Sequence, residues 1–145
     1  MDNLSTPSES SRRSIGLILK EISSAVGKNF QLNDQGVCSF IYDSFTIVVE
    51  VPESGTFFVV YTTLCELKDG TDPEKKKDQA LKLNYLQQET KGGCLSLDST
   101  SAKIYFSYTD KVHGITAPDF RDILENFIET TMALHRCLSS TSLSE

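Results

Sequence analysis

The chain has 145 residues, of which 39% are hydrophobic and 23% charged, and this length and composition predict one soluble globular domain. Its net charge of −6 argues against a nucleic-acid partner, which would need a basic patch, and suits a partner of basic character. No apolar run reaches the ~20 residues of a membrane-spanning helix, and residues 1–11 lack the pattern of a secretory signal. We therefore expect a cytoplasmic protein without membrane insertion.

Serine- and threonine-rich composition predicts disordered tails at residues 1–11 and 139–145, which leaves a single domain over residues 12–138. The first predicted element is a helix in "RRSIGLILKEISSAVG", which Gly27 is placed to end. Its apolar positions recur with helical spacing and form one face: Ile15, Ile18, Leu19, Ile22 and Val26.

Three predicted strands follow. The first, Val37 to Tyr42, is joined to the second, Phe45 to Val51, by a tight turn at Asp43-Ser44. The third, from Thr56 to Leu67, is apolar at consecutive positions, which predicts a central strand covered on both faces.

A turn at Asp69-Gly70 precedes a second predicted helix, which begins at Asp72-Pro73, continues to about Glu89 and is stopped by Gly92-Gly93. Two strands, at residues 94–98 and 103–110, lead to a last helix that opens at Thr116. The apolar stripe of this helix is Phe120, Leu124, Phe127, Thr131, Leu134 and Leu138. The order of helix, three strands, helix, two strands and helix predicts an α+β fold, a twisted antiparallel sheet flanked by helices.

Motifs of catalysis and cofactor binding are missing from the sequence. There is no glycine-rich phosphate loop, no HExxH and no GxSxG. The four cysteines form no CxxC pair, and His135 and Cys137 stand two apart on a helix, where their side chains diverge. We therefore expect no enzyme, no catalytic or metal-binding residues and no cofactor. The apolar faces exceed what one small sheet needs, which favours cover by another chain.

The segment "ALKLNYLQQETKGGCLSLD", followed by "KIYFSYTD" and "FRDILENFIETTMALHRCL", resembles the class I type III secretion chaperones, the Tir chaperone family. The second helix of that family carries a Leu-x-Leu-Asn-x-Leu-like segment before a glycine and a Leu-x-Leu-Asp strand. The last helix often reads Phe…Leu-Glu-Asn-Phe. The matching positions here are Leu81, Leu83, Asn84, Leu86, Gly93, Leu95, Leu97, Asp98, Phe120, Leu124, Glu125, Asn126 and Phe127.

The resemblance covers residues 12–138 and implies a bacterial, ATP-independent dimer that presents a secreted effector to the secretion apparatus. The effector's N-terminal segment would be held in extended form. A homodimer is expected, with a heterodimer with another secretion chaperone as the alternative. The dimer interface is predicted at the helix–glycine–strand junction, at Leu83, Asn84, Leu86, Leu95 and Leu97.

The effector is expected to bind the first helix and first hairpin, where a short strand at a sheet edge would lie beside an apolar helical face. The predicted contacts are Ile15, Leu19, Ile22, Val26, Val37, Phe40, Phe45 and Ile47. Two other classes remain open: a dimeric adaptor of the roadblock or profilin-like kind that binds a folded partner, and a small thiol enzyme using Cys94 or Cys137.

Overall fold

The helices and strands follow the predicted order. In the computed structural model they are α1 (Pro7–Val26), β1 (Val37–Tyr42), β2 (Phe45–Glu50), β3 (Phe57–Glu66), α2 (Pro73–Leu83), β4 (Cys94–Asp98), β5 (Lys103–Lys111) and α3 (Ala117–Ser140). The structure describes residues 6–53, 55–68 and 72–140. The predicted turn at Asp69-Gly70 and the predicted tail residues 1–5 and 141–145 lie outside these ranges. The α+β prediction is confirmed.

The strands form a five-stranded antiparallel sheet in the order β1-β2-β3-β5-β4. The predicted turn between β1 and β2 is present, and Asp43 takes the left-handed conformation (φ 60°) that a two-residue hairpin turn needs. Strand β3 is central, whereas β1 and β4 are the two edges. The two surfaces predicted to bind other chains therefore lie at opposite edges of one sheet.

The core fills one face of the sheet. Phe58 of β3 lies 5.0 Å from Phe120 of α3, and Phe106 of β5 stacks on Phe127 at 4.6 Å, measured between ring centroids. The predicted stripe of α3 is buried throughout. The prediction that β3 is covered on both faces is wrong, because alternate side chains, from Phe57 to Thr63, are only half-buried. Their apolar character is explained by side-by-side packing within the sheet, such as that of Tyr61 with Tyr105 at 6.2 Å.

The predicted N-terminal tail is too long. Thr6 and Glu9 form a capping box, in which the Thr6 hydroxyl accepts from the Glu9 N–H at 3.1 Å and the Glu9 carboxylate accepts from the Thr6 N–H at 2.9 Å. The helix therefore starts at Pro7, and the serine-rich residues up to Ser11 are helical. At the other end, α3 continues through residues 139 and 140, which were also predicted to be tail.

Helix α2 is shorter than predicted, since it ends at Leu83 and not near Glu89. One 3-10 turn, Tyr85–Gln87, follows, and Leu86 (φ 52°) and Gln87 (φ 57°) both leave the right-handed helical region. The glycines at 92 and 93 therefore follow a tight loop instead of terminating the helix.

Candidate binding surfaces

The backbone of edge strand β1 is only partly paired on its outer side. The Val37 N–H donates to Asn33 Oδ1 at 3.0 Å, and the Asn33 N–H donates to the Val37 carbonyl at 2.8 Å, so Val37 faces outward and is already paired. Since alternate residues of an antiparallel strand point the same way, Ser39 and Ile41 also direct their N–H and C=O groups outward. Strand β1 thus offers two consecutive outward positions to an added strand.

The opposite edge, β4, is more completely paired. The Thr90 hydroxyl donates to the Gly93 carbonyl at 2.8 Å, and the Gly93 N–H donates to the Thr90 carbonyl at 3.0 Å. The Asn84 amide bonds both backbone groups of Leu95, at 2.8 and 2.9 Å. By the same alternation Leu97 is the next outward position of this five-residue strand. The edge of β1 is therefore the better template for an added strand.

Apolar side chains accompany the open edge of β1. Ile41 is 70% exposed and Tyr42 is 48% exposed. On the core side, the half-buried Phe40 contacts Phe30, with ring centroids 5.0 Å apart. We call the residues Ser39, Phe40, Ile41 and Tyr42 the hairpin surface.

The side chains predicted to contact an effector divide between core and surface. Val26 is exposed, and Val37 and Phe40 are half-buried. The remaining predicted side chains are buried in the chain's own core: Ile15, Leu19, Ile22, Phe45 and Ile47. The apolar stripe of α1, apart from Val26, therefore belongs to the chain's own core. Sequence reasoning missed Ile41 and Tyr42, because "VCSFIY" does not alternate cleanly and its outward positions could not be separated from inward ones.

A second apolar surface lies around the helix–glycine–strand junction. We call it the junction surface; its members are the large hydrophobic side chains Leu81, Tyr85, Leu86 and Leu97, which are 43–71% exposed. Two of them, Leu86 and Leu97, were predicted for the dimer interface. The other predicted residues make contacts within their own chain. Leu83 and Leu95 are buried, and the half-buried Asn84 forms a hydrogen bond with Leu95.

The loop that carries Leu86 is tightly constrained. Leu86, Gln87 and Lys91 have φ values of 52–57°, a conformation that non-glycine residues rarely adopt. Loop hydrogen bonds run from Gln87 N–H to Asn84 carbonyl at 2.9 Å and from Gly92 N–H to Gln87 carbonyl at 3.2 Å. At position 93 a Cβ would lie 2.6 Å from Cε1 of Phe106, so only glycine lets the loop approach β5 this closely.

A cavity of about 310 Å³ opens beside this loop, between β5 and α3. Phe106, Ile123 and Phe127 supply apolar walls. Polar and charged side chains line the rest: Thr90, Lys91, Tyr108, Asn126, Glu129 and Thr130. Its volume falls at the small end of ligand pockets, which span about 300–1,000 Å³.

Thiol and carboxyl groups in the described part of the chain do not assemble into a site of another kind. No cluster of three or more His, Cys, Asp or Glu side chains suited to a metal occurs within it. Burial raises the pKa of the Cys38 thiol. Hydrogen bonds from the Ser101 hydroxyl and the Thr100 N–H lower the pKa of Asp98. None of the helices in the described ranges is long and apolar enough to cross a membrane.

Comparison with solved structures shows the same fold in several chains. A chain of the ExsC–ExsE complex superimposes with a TM-score of 0.76 at 14% identity, over 88% of this chain and 95% of that one. A chain of the HopA1–SchA chaperone–effector complex gives a TM-score of 0.69 at 18% identity, over 88% and 97%. The heterodimeric ExoU–SpcU complex of the Pseudomonas aeruginosa type III secretion system gives 0.61 at 12%, over 85% and 96%.

The fold is thus one shared with chains from a chaperone–effector complex and from a type III secretion complex. Residues 17–135 match the Tir chaperone protein (CesT) family, so the chain belongs to that family, and the resemblance seen in the sequence is confirmed. No match was found among curated proteins.

Proposed function

We propose that the protein binds the N-terminal segment of a secreted effector in extended form and keeps it soluble and export-competent without using nucleotide. Family membership supports the chaperone role. The similar folds include chains from complexes described as chaperone–effector and type III secretion assemblies, which supports an effector as the partner. The observation that carries the proposal is the pair of open outward positions on β1, Ser39 and Ile41, beside exposed apolar side chains.

An extended segment needs backbone partners and pockets for alternate side chains. Ser39 and Ile41 present their backbone groups at the open edge, so an added strand would continue the sheet beyond β1. Ile41 lies on one face of the sheet and Phe40 with Phe30 on the other, so the added strand meets apolar surface on both sides. Phe30 links α1 to this hairpin, since its N–H donates to the Ser23 hydroxyl at 2.7 Å and its ring packs on Phe40. Val26, exposed at the end of α1, stays a predicted client contact.

The dimer is proposed to form through the junction surface at the opposite edge. Leu86 and Leu97 would contact the partner directly, while Leu83, Asn84 and Leu95 hold the junction in shape. An obligate interface of this kind buries about 2,000 Å² or more in total, about 1,000 Å² of each copy. Such an arrangement leaves the open edge of β1 free in both copies, so two client segments or two parts of one client have equivalent sites. A related chaperone chain with a matching surface would give a heterodimer instead.

The edge-strand proposal is tested by a proline at Ser39. The Ser39 N–H points away from β2, so Ser39→Pro removes a donor for the client without removing a β1–β2 hydrogen bond. Ser39→Ala is the matched control, because it changes the same side chain and keeps the N–H. The effector is identified by co-purification from the native host and mass spectrometry, and its synthetic N-terminal segment is titrated calorimetrically.

We expect Ser39→Pro to weaken binding by about tenfold or more, equivalent to one hydrogen bond of about 1.4 kcal/mol together with steric exclusion, and Ser39→Ala to bind as the unmodified protein does. Thermal unfolding should be similar for both variants. Unchanged client affinity in a folded Ser39→Pro protein would exclude this edge as the client site.

Nucleotide independence is tested separately. The chain has a net charge of −6 and no phosphate-cradling glycine loop, so it lacks the usual means of holding a triphosphate. Titration with ATP and magnesium should give no heat above dilution, with and without bound client. A micromolar dissociation constant would contradict the proposal.

A further inference from the structure

The hydrogen bonds of its loop, and not burial of its own side chain, hold Leu86 in an unusual backbone conformation. Its φ of 52° and ψ of 21° place it in the left-handed region, yet its side chain is 71% exposed and contributes little to the core. Gln87 beside it is left-handed as well. Strain at non-glycine residues persists where the surrounding structure enforces it, and such positions cluster at binding sites. The backbone conformation of the loop therefore directs the Leu86 side chain into solvent.

The cavity between β5 and α3 lies at the other end of the same loop. Leu86 begins the loop's left-handed stretch, and Thr90 and Lys91 form part of the cavity wall. Phe106 and Phe127, which stack on each other with ring centroids 4.6 Å apart, are buried and form part of its apolar wall. Because Leu86 is exposed, it does not occupy the cavity of its own chain.

We propose that Leu86 of one copy inserts into this cavity of a second copy, and that the second copy returns the same contact. A twofold interface requires a self-complementary surface, in which a projection and a matching hollow occur on each chain. Here the projection is Leu86 and the hollow is the cavity between β5 and α3, and one loop contributes to both. The inference rests on the dimer of the proposed function and names the contact that would hold it together.

The charges around the two features are complementary. The cavity is lined by Lys91 and Glu129, and the loop that projects Leu86 carries Glu89 and Lys91. Each partner thus brings one basic and one acidic group to a contact whose centre is apolar. Opposite charges can face each other across the twofold axis, which fixes orientation more than it adds affinity. The wholly apolar alternative, stacking two flat surfaces, would leave both the leucine and the cavity unexplained.

The direct test is a photo-cross-link from position 86. A short diazirine amino acid replaces Leu86 in one preparation and Leu17, which is 63% exposed on α1, in a control preparation. Equal amounts of isotopically labelled and unlabelled chain are unfolded together, refolded and irradiated, and the linked peptides are sequenced. We expect adducts from position 86 on residues 123–130 or 106–108 of the other copy. The control at position 17 should not label those segments of the other copy.

The second measurement is the dimer dissociation constant by sedimentation. Leu86→Ser should raise it at least tenfold, and Asn126→Trp, which blocks the cavity with a large side chain, should do the same while leaving the loop intact. Leu17→Ser, on α1 and outside the junction surface, is the matched control for loss of an exposed leucine and should leave the dissociation constant unchanged. Monomeric unmodified protein, links found only within one chain, or an unchanged constant for both Leu86→Ser and Asn126→Trp would overturn the inference.

The client titration separates this inference from the proposed function. A cross-linked dimer of the expected kind that fails to bind any effector segment would refute the chaperone proposal and leave the contact standing. Effector binding by a protein that shows none of the expected links would refute the Leu86 contact and leave the chaperone proposal standing.

Discussion

At the scale of single residues, two asparagines perform the same task at opposite edges of the sheet. Asn33 pairs the first outward residue of β1, and Asn84 pairs Leu95 of β4. Asn84 uses the donor and the acceptor of its side-chain amide, whereas Asn33 uses its side-chain oxygen and its own backbone N–H, and each imitates a neighbouring strand over one residue. The result is that each edge is closed at its beginning and open further on, which limits where another chain can add.

Removing the Asn84 amide tests this role. Asn84→Ala leaves the N–H and C=O of Leu95 without their protein partners, and we expect a loss of about 1–2 kcal/mol in the free energy of unfolding. Backbone exchange of the Leu95 amide should also accelerate. Asn29→Ala, in the exposed loop after α1, is the control and should stay within about 0.5 kcal/mol of the unmodified protein. Equal stability and unchanged Leu95 exchange in Asn84→Ala would contradict the assigned role.

The cysteines test the thiol-enzyme alternative at the same scale. Burial raises the pKa of Cys38, which lowers its thiolate fraction at neutral pH, whereas Cys94 is exposed. With a thiol reagent at pH 7.4, Cys94 should be labelled well before Cys38, at a rate near that of a free thiol. Fast stoichiometric labelling of a single cysteine, far above that rate, would instead indicate an activated nucleophile.

At the scale of elements, the sequence predicts one part of the junction between α2 and β4 correctly and another part wrongly. The glycine pair and the strand after it are predictable, because Leu95 and Leu97 alternate and glycine interrupts the helical pattern. The end of α2 could not be predicted, because "NYLQQE" keeps a helical spacing and composition up to Glu89. The helix ends six residues earlier since the Asn84 side chain bonds β4, a tertiary contact that no local pattern reports.

Two glycine substitutions measure how strongly these elements are constrained. Gly93→Ala puts a Cβ 2.6 Å from the Phe106 ring and 2.7 Å from the Ser107 carbonyl oxygen, so we expect a loss of about 1–3 kcal/mol in unfolding free energy. Gly16→Ala meets nothing within 4 Å inside α1 and should gain about 0.5–1 kcal/mol, because glycine weakens a helix interior. Urea unfolding at one protein concentration gives both values. A Gly93→Ala protein as stable as Gly16→Ala would contradict the close packing of loop and sheet.

At the scale of the whole molecule, element order predicted the fold and a motif spread over the chain predicted the family. The β-strand bounds were predicted to within one residue, and all six residues of the predicted α3 stripe are buried. The proposed client surface could not be derived from the sequence residue by residue. Apolar side chains such as Ile15 and Ile47 satisfy the same patterns whether they cover the chain's own sheet or a partner, and only the three-dimensional packing separates the two.

Hydrogen exchange with and without the effector's N-terminal segment tests the central claim, that this protein holds an extended client at the open edge of β1. The account predicts strong added protection of the Ser39 and Ile41 amides, weaker protection along residues 15–26 and the rest of 37–47, and no added protection at the Leu97 edge. Protection confined to residues 116–138, or none in the first hairpin despite saturating client, would contradict it.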